Sequence, residues 1–380
     1  MSHSTDRFIP VAAPLLGARE EQYVLEALRS GWVSSAGPFL QRFEQEFARY
    51  LGVEHAVSVS NGTVALHLLL HALGIGPGDE VIVPDLTFVA TAHAALQAGA
   101  TPVLADVEPD TWCLSPAAVA RAVTPRTKAI IAVHLYGHPA DMAGLEAIAA
   151  QSGAVLLEDA AEAHGARIGT KRVGGLGRAG AFSFYGNKLL TTGEGGMVVT
   201  RDGPLAERLR YLKDHGMSAQ RRYFHTELAF NYRMTNLQAA LGLAQLERLD
   251  EFIERKRQIF GWYRELLAGH PALALNAERA GYENVYWMTS VVLQGTHAQR
   301  RDQICESMKA DGVDSRPFFV AMSELPHLRA LKQVGAAGEG CPVAAGLSRA
   351  GINLPSGCAL DRESVARVAR ALERALEREA

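Results

Sequence analysis

A chain of 380 residues with 48% hydrophobic and 21% charged residues is long enough for a large core in one domain or two. Its formal net charge of −3 gives no reason to expect nucleic acid or an anionic membrane as a partner. No apolar run approaches the length of a membrane span, and the N-terminal MSHSTDRFIP lacks the apolar segment of a signal peptide. The four cysteines, Cys113, Cys305, Cys341 and Cys358, form no C-x-x-C pair. Neither a zinc site nor a disulfide framework is therefore expected, and a reduced, cytoplasmic setting is predicted.

From about Ala56 the chain alternates short apolar runs with helical stretches. The predicted strands are AVSVS, EVIVP, PVLADV, AIIAVHLYG and AVLLEDA. The predicted helices between them are TVALHLLLHALG, FVATAHAALQAGA, SPAAVARAV and MAGLEAIAAQSG. Nearly continuous apolar strands that alternate with helices favour an α/β fold, in which a mostly parallel sheet carries helices on both faces.

The second half of the chain has a different pattern. After GAFSFY and GMVVT, one long helical stretch is predicted over roughly Asn236–Leu267. Beyond it, VYWMTSVVLQ, RRDQICESMKADG and ESVARVARALERAL favour a smaller α+β domain. The sequence therefore predicts a large α/β domain with an N-terminal arm over residues 1–255 and a small α+β domain over residues 256–380.

Ligands of an open α/β sheet bind at the carboxyl ends of its strands, so polar residues at those ends are candidates for a site. The first group is SNGT, Ser60–Thr63, between a predicted strand and a predicted helix. Its backbone N–H groups and the helix N-terminus would suit a phosphate. An ordinary strand-to-helix turn capped by Asn61 or Thr63 explains the same residues.

The second group lies in LEDAAEAHGA, where Glu158 and Asp159 follow a strongly apolar strand. A buried carboxylate needs a partner, because an unpaired buried charge is costly. That partner is a helix terminus, an arginine or the protonated ring nitrogen of a cofactor. His164 in the same stretch is either a catalytic base or a histidine packed under the site.

The stretch GLGRAG, Gly175–Gly180, matches the spacing of a dinucleotide-binding turn. Such a turn needs a strand before it and a helix after it. Here the strand-like AFSFY follows, so we reject a nicotinamide or flavin cofactor on that context.

The third group is SFYGNKLLTTGEGG, which carries Ser183 and Lys188 and ends in closely spaced glycines. Those glycines allow the backbone to bend and to approach a ligand. A lysine in a pocket can lose its proton and attack a carbonyl group, whereas most lysines are solvated. Taken alone, the stretch leaves both interpretations open.

The three groups together suit pyridoxal phosphate. The SNGT turn would hold the phosphate, Asp159 would keep the ring nitrogen protonated, and Lys188 would attach the cofactor covalently. Phe88 in DLTFVAT either covers the face of the ring or belongs to the core.

Several longer segments carry a resemblance to a known family. They are SNGTVALHLLL, PDLTFVATA, EDAAEAHGA, SFYGNKLLTTGEGGM, FNYRMTNLQAALGLAQLE and GINLPSG. In these segments the sequence resembles the DegT/DnrJ/EryC1/StrS family of sugar aminotransferases, which has the type I, aspartate aminotransferase-like fold. The similarity runs over essentially the whole chain.

The resemblance implies a role for each matching position around the cofactor. Lys188 would hold pyridoxal phosphate and shuttle a proton, and Asp159 would pair with the ring nitrogen. Gly62 and Thr63 would bind the phosphate, helped by Ser183.

Three further cofactor residues follow from the same resemblance. Phe88 would stack on the ring, and Glu162 would lie near the phenolic oxygen, where many relatives carry glutamine. Asn231 would reach the phosphate of the neighbouring subunit, which implies a homodimer with shared active sites. Tyr185 stands where many relatives have histidine. Lys188 is present, whereas dehydratases of the family carry histidine there, so transamination is expected.

The segments FYGNK, TTGEGGM, VHLYGHPADM and SRPFF resemble a branch that transfers an amino group from L-glutamate to C4 of GDP-4-keto-6-deoxy-D-mannose. Trp32, Ser35, Arg316 and Phe318 would line the sugar site by resemblance, with a surface loop and core packing as the alternatives. The same chemistry on a dTDP- or UDP-linked keto sugar, and a non-catalytic cofactor-binding sensor, are the other functions considered. No metal, nucleic acid or membrane partner is expected.

Overall fold

A computed structural model of the chain describes residues 8–378. Most of MSHSTDRFIP at the start of the predicted N-terminal arm, and residues 379–380, lie outside this part. The first elements in chain order are α1 (Ala18–Arg29), α2 (Pro38–Leu51), β1 (His55–Val59), α3 (Gly62–Ala72), β2 (Glu80–Pro84), α4 (Ala90–Gln97), β3 (Thr101–Ala105), α5 (Pro116–Ala122), β4 (Thr127–Val133), α6 (Met142–Ser152), β5 (Val155–Asp159), β6 (Arg167–Ile168), β7 (Lys171–Arg172), β8 (Ala179–Ser183) and β9 (Gly196–Thr200).

The remaining elements are α7 (Gly203–Lys213), α8 (Asn236–Leu246), α9 (Leu249–Leu266), β10 (Leu273–Leu275), β11 (Tyr282–Glu283), β12 (Thr289–Leu293), α10 (Arg301–Ala310), β13 (Arg316–Pro317), β14 (Gln333–Val334), α11 (Pro342–Ala350), β15 (Gly351–Leu354) and α12 (Arg362–Glu377). Short 3-10 turns cover Leu135–Gly137, Gly295–Arg300 and Met322–Glu324. Among residues 8–378, no helix is long and apolar enough to cross a membrane.

A central eight-stranded sheet has the order β1-β9-β8-β5-β4-β2-β3-β14. The strands from β8 to β14 in that order run parallel, and only β9 pairs antiparallel with both of its neighbours. Val81 and Val83 of β2 belong to one buried cluster and Ile82 to another, because successive residues of a strand point to opposite faces. Both faces of the sheet are therefore covered, and the predicted mostly parallel α/β architecture is confirmed.

The predicted single helix over Asn236–Leu267 is wrong, since the chain forms α8 and α9 with a break at Glu247 and Arg248. Arg248 leaves helical geometry with φ −113° and ψ 5°. The two helices have different partners: α8 packs against α1 and α2, whereas α9 packs against α12. Both segments carry helical periodicity, so the local pattern alone did not mark the break.

The predicted boundary at residue 255 falls inside α9. Beyond it, β10, β12, β15 and β13 form a separate antiparallel sheet. The short strand β14 leaves this region and pairs with β3 of the central sheet. The division into two domains remains a prediction.

Candidate active site

Asp159 ends β5 and is 7% exposed. Its Oδ2 accepts a 2.8 Å hydrogen bond from Thr91 Oγ1, and its Oδ1 accepts one of 3.2 Å from the backbone N–H of Ala161. Burial raises the pKa of Asp159, while the hydrogen bonds from Thr91 and Ala161 oppose that rise. A buried carboxyl group whose hydrogen-bond donors are neutral suits a cationic partner such as a protonated ring nitrogen.

Lys188 lies in a pocket, with its side chain 11% exposed. The turn that carries it is closed by a 2.9 Å hydrogen bond from its own N–H to the carbonyl oxygen of Tyr185. Its Nζ is 3.5 Å from Glu162 Oε1 and 3.9 Å from the centroid of the Trp287 ring. The amine is therefore held between a carboxyl group and an aromatic face.

Glu162 is fixed from the other side by Tyr136, whose backbone N–H donates to Oε2 at 2.9 Å. Tyr136 has φ +51° and ψ 18°, a left-handed conformation that is uncommon for a non-glycine residue and that concentrates at functional sites. Burial raises the pKa of Glu162, and the ammonium group of Lys188 opposes that rise.

The SNGT turn opens α3, with Asn61 as its cap: Asn61 Oδ1 accepts from the Val64 N–H at 3.0 Å. A Cβ atom on Gly62 would lie 2.7 Å from Ser183 Cβ, so only glycine lets the turn approach the end of β8 this closely. The fold thus brings Gly62 and Ser183 together although they are far apart in sequence. The first N–H groups of a helix have no partner within it, and together with the Ser183 hydroxyl they suit a phosphate.

The GLGRAG stretch has a structural partner inside the chain. Backbone N–H groups of Gly174, Leu176 and Gly177 donate to the Glu158 carboxylate at 2.6, 2.7 and 2.7 Å. His134 Nε2 lies 3.0 Å from the same carboxylate. A strand, β8, begins at Ala179 inside this stretch and continues into the predicted strand-like AFSFY, so no helix follows the turn. Glu158 therefore uses the amide groups that a dinucleotide phosphate would need.

His164 packs in the layer below the site, against the rings of Phe182 and Phe184. Burial lowers its pKa to about 3, so the imidazole is neutral. These surroundings match the second interpretation of His164, a histidine packed under the site.

Phe88 is 54% exposed, and its ring lies 5.7 Å from that of Phe319. Phe318 is 2% exposed and packs against Trp112 and Tyr136, with centroid distances of 5.0 and 4.8 Å. Phe318 thus lies in the core, the alternative noted for it, and Phe319 is the neighbour that approaches Phe88.

The other residues expected from the resemblance lie nearer the surface. Trp32 is exposed, and its carbonyl oxygen accepts from Asn236 Nδ2 at 2.7 Å, while Ser35 is half-buried. Arg316 pairs with Asp314 at 2.7 Å. Asn231 is exposed, and its amide oxygen accepts from Arg233. None of these hydrogen bonds and ion pairs involves Lys188 or Asp159.

Sequence reasoning did not assign roles to Thr91, Tyr136 and Trp287. Thr91 lies inside a segment used for the resemblance, but nothing local marks it as the donor to Asp159. Trp287 carries no signal, because it reaches Lys188 from the region beyond α9.

The arrangement fits pyridoxal phosphate on three observations. A buried carboxyl group ends β5, a lysine amine lies in a pocket, and a glycine-dependent close approach joins the N-terminus of α3 to Ser183. These match the ring nitrogen, the aldehyde carbon and the phosphate of the cofactor.

Comparisons with known proteins agree with this chemistry. The sequence model of the DegT/DnrJ/EryC1/StrS aminotransferase family matches residues 14–373. The GDP-perosamine synthase of Caulobacter vibrioides is 45% identical over 97% of this chain and 98% of its own length. That of Vibrio cholerae is 44% identical over 92% of this chain and 94% of its own. The dTDP-3-amino-3,4,6-trideoxy-alpha-D-glucose transaminase of Streptomyces venezuelae is 40% identical over 90% and 88%.

Solved structures have the same fold. 3-Amino-5-hydroxybenzoic acid synthase superposes with a TM-score of 0.90 at 34% identity, covering 97% of this chain and 98% of that one. DesI, solved in the presence of its TDP-sugar product, superposes with a TM-score of 0.89 at 35% identity, covering 98% and 94%.

Proposed function

The chain belongs to the DegT/DnrJ/EryC1/StrS aminotransferase family, and on that premise we propose that it transfers an amino group from L-glutamate to C4 of GDP-4-keto-6-deoxy-D-mannose, giving GDP-perosamine. Family membership confirms the aminotransferase class, the type I fold and the pyridoxal phosphate dependence predicted from the sequence. The observation that carries the choice of sugar is the 45% identity to the Caulobacter vibrioides GDP-perosamine synthase, which extends over 97% of the chain.

In the proposed site, Asp159 would hold the ring nitrogen and Lys188 would be the covalent attachment point. Gly62, Thr63 and Ser183 would hold the phosphate. When bound, pyridoxal phosphate supplies an electron sink for negative charge that develops on the substrate carbon.

Lys188 has the proton-transfer role. Its amine must be neutral to accept a proton from the donor amino acid and charged to return one to the sugar. Glu162 Oε1 at 3.5 Å orients this amine, and the Tyr136 N–H holds the other carboxyl oxygen. Asp159 must be ionised to keep a ring nitrogen protonated, and its bonds from Thr91 and Ala161 favour the ionised form.

We propose a homodimer in which Asn231 of each chain reaches the phosphate site of the other. The segment that precedes Asn231 supports this, because Tyr223, Phe224 and Leu228 are exposed in the single chain. Adjacent exposed apolar side chains mark interaction surfaces. Sedimentation equilibrium tests the dimer, and a monomer at assay concentration contradicts it.

The four free cysteines support the proposed cytoplasmic setting.

The substrate is tested by incubating purified, cofactor-loaded protein with L-glutamate and one of several keto sugars linked to GDP, dTDP or UDP. Mass spectrometry detects the aminated sugar, and the release of 2-oxoglutarate measures turnover. We expect the highest kcat/KM with GDP-4-keto-6-deoxy-D-mannose and no product from Lys188→Ala.

A dTDP-linked keto sugar is the second candidate, favoured by the 40% identity to the Streptomyces venezuelae transaminase. Preference for that sugar in the same panel replaces the GDP proposal while keeping the chemistry. Failure to aminate any sugar contradicts both proposals and favours a cofactor-binding sensor.

A further inference from the structure

The amine of Lys188 lies over an aromatic face that the proposed chemistry does not use. Its Nζ is 3.9 Å from the centroid of the Trp287 ring, inside the range of a cation–π contact. Indole is the strongest of the aromatic partners for a cation, and the contact gains strength when water is excluded. Trp287 is 3% exposed and the Lys188 side chain 11%, so the contact is largely shielded from bulk water.

The indole is held in place from several sides. Its Nε1–H donates to the carbonyl oxygen of Asn187 at 2.9 Å, which ties the ring to the residue directly before Lys188. Its backbone oxygen accepts from Lys256 Nζ at 2.7 Å. The Tyr136 ring stacks beside it with a centroid distance of 6.2 Å and an interplanar angle of 26°. A ring fixed in this way presents the same face to the amine.

Glu162 Oε1 lies 3.5 Å from Lys188 Nζ, and the carboxyl group of Asp159 and the imidazole of His164 also interact electrostatically with this amine. Burial disfavours a charged amine, whereas a carboxyl group and an indole face both favour it. Glu162 and Trp287 therefore contact the amine from two sides.

We propose that Trp287 is a positioning residue that binds the ammonium group of Lys188 on its indole face. The inference rests on the proposed function only in taking Lys188 as the reactive amine. Trp287 acts on the chain's own lysine, so its effect is measurable without turnover.

The test uses the full chain freed of cofactor, with circular dichroism and thermal melting as checks that each variant is folded. Limited acylation at a series of pH values, followed by peptide mass spectrometry, gives the labelling of Lys188 at each pH. Only the neutral amine is acylated, so the position of the profile on the pH axis reports which form is favoured. Trp287→Phe keeps an aromatic face of weaker attraction, and Trp287→Leu keeps only apolar bulk.

We expect the labelling profile of Lys188 to lie at the highest pH in the parent protein, at lower pH in Trp287→Phe and at the lowest pH in Trp287→Leu. The shift for Trp287→Leu should be about one pH unit, which corresponds to about tenfold more neutral amine at a given pH. Trp262→Leu is the matched control, because its indole lies 5.0 Å from Arg255 rather than against Lys188, and it should leave the profile in place. A profile that stays fixed in both Trp287 variants overturns the proposal. A move to higher pH also overturns it, since that result follows if the indole only excludes water. The test does not measure sugar amination, so its result can be interpreted even if the proposed sugar substrate is wrong.

Discussion

The hydroxyl of Thr91 donates a 2.8 Å hydrogen bond to Asp159, joining the first turn of α4 to the carboxyl end of β5 across 68 residues of sequence. Both side chains are buried, so the bond is made without competition from bulk water. It is the largest influence that opposes the rise of the Asp159 pKa on burial. An ionised Asp159 thus depends on a residue outside its own strand.

Thr91→Val should weaken cofactor binding by roughly ten- to a hundredfold, because a hydrogen bond to a charged group contributes about 1.5 to 3 kcal/mol. Loss of the bond raises the pKa of Asp159 further, so the acidic limb of the pH–rate profile should move to higher pH. Cofactor titration followed by absorbance measures the affinity. Thr91→Ser retains the hydroxyl and should stay close to the parent, and equal affinity in the Val variant contradicts the role.

Lys188→Ala should abolish turnover and the visible absorbance of the lysine-bound cofactor, because the covalent attachment point is removed. Lys256 is the competing amine, since it is buried and burial lowers its pKa to about 8. Borohydride reduction and peptide mapping of the parent protein distinguish the two lysines. A pyridoxyl group on Lys256, or normal turnover without Lys188, contradicts the assignment.

Glu158→Gln should lower the free energy of unfolding by about 2 kcal/mol. The amide nitrogen that replaces one carboxylate oxygen cannot accept a hydrogen bond. At least one of the buried N–H groups in the turn at residues 174–177 is then left without its acceptor, at a cost of about 1 to 3 kcal/mol. Urea unfolding measures the change. Glu54→Gln is the control, because its pair with Arg201 is exposed and 3.7 Å long and should contribute little. An equal effect of both changes contradicts the interpretation.

Asp85 should make stability depend on pH. It is fully buried at the end of β2, where both carboxyl oxygens accept from Ser323, and burial raises its pKa from 3.8 to about 6. The folded state holds this proton more tightly than the unfolded chain, so the stabilisation is complete below about pH 4 and is lost as pH rises through 6.

The free energy of unfolding of the parent should therefore fall relative to Asp85→Asn by about 2 kcal/mol between pH 4.5 and 7. The asparagine variant keeps the shape, and the Ser323 hydroxyl can turn to accept from its amide. Urea unfolding of both proteins at a series of pH values makes the comparison. A constant difference between them contradicts the role of Asp85.

Some features were predictable because they are local in sequence. The rejection of GLGRAG as a dinucleotide turn needed only the strand that follows it, and β8 is that strand. The break between α8 and α9 was missed, because both segments have helical periodicity and their packing partners differ only in three dimensions.

The sequence by itself determined the α/β alternation, the family and the order of the phosphate turn, the acid and the lysine, since these depend on hydrophobic period and on motifs within short segments. Only the tertiary structure decided that Thr91 reaches Asp159, that Glu158 binds the 174–177 turn, and that Trp287 lies against Lys188. Such contacts depend on strand order and register, for example the pairing of Asp159 with Ala181, which brings the end of β5 beside β8. No short segment encodes that neighbour, because it exists only once distant strands have packed into one sheet.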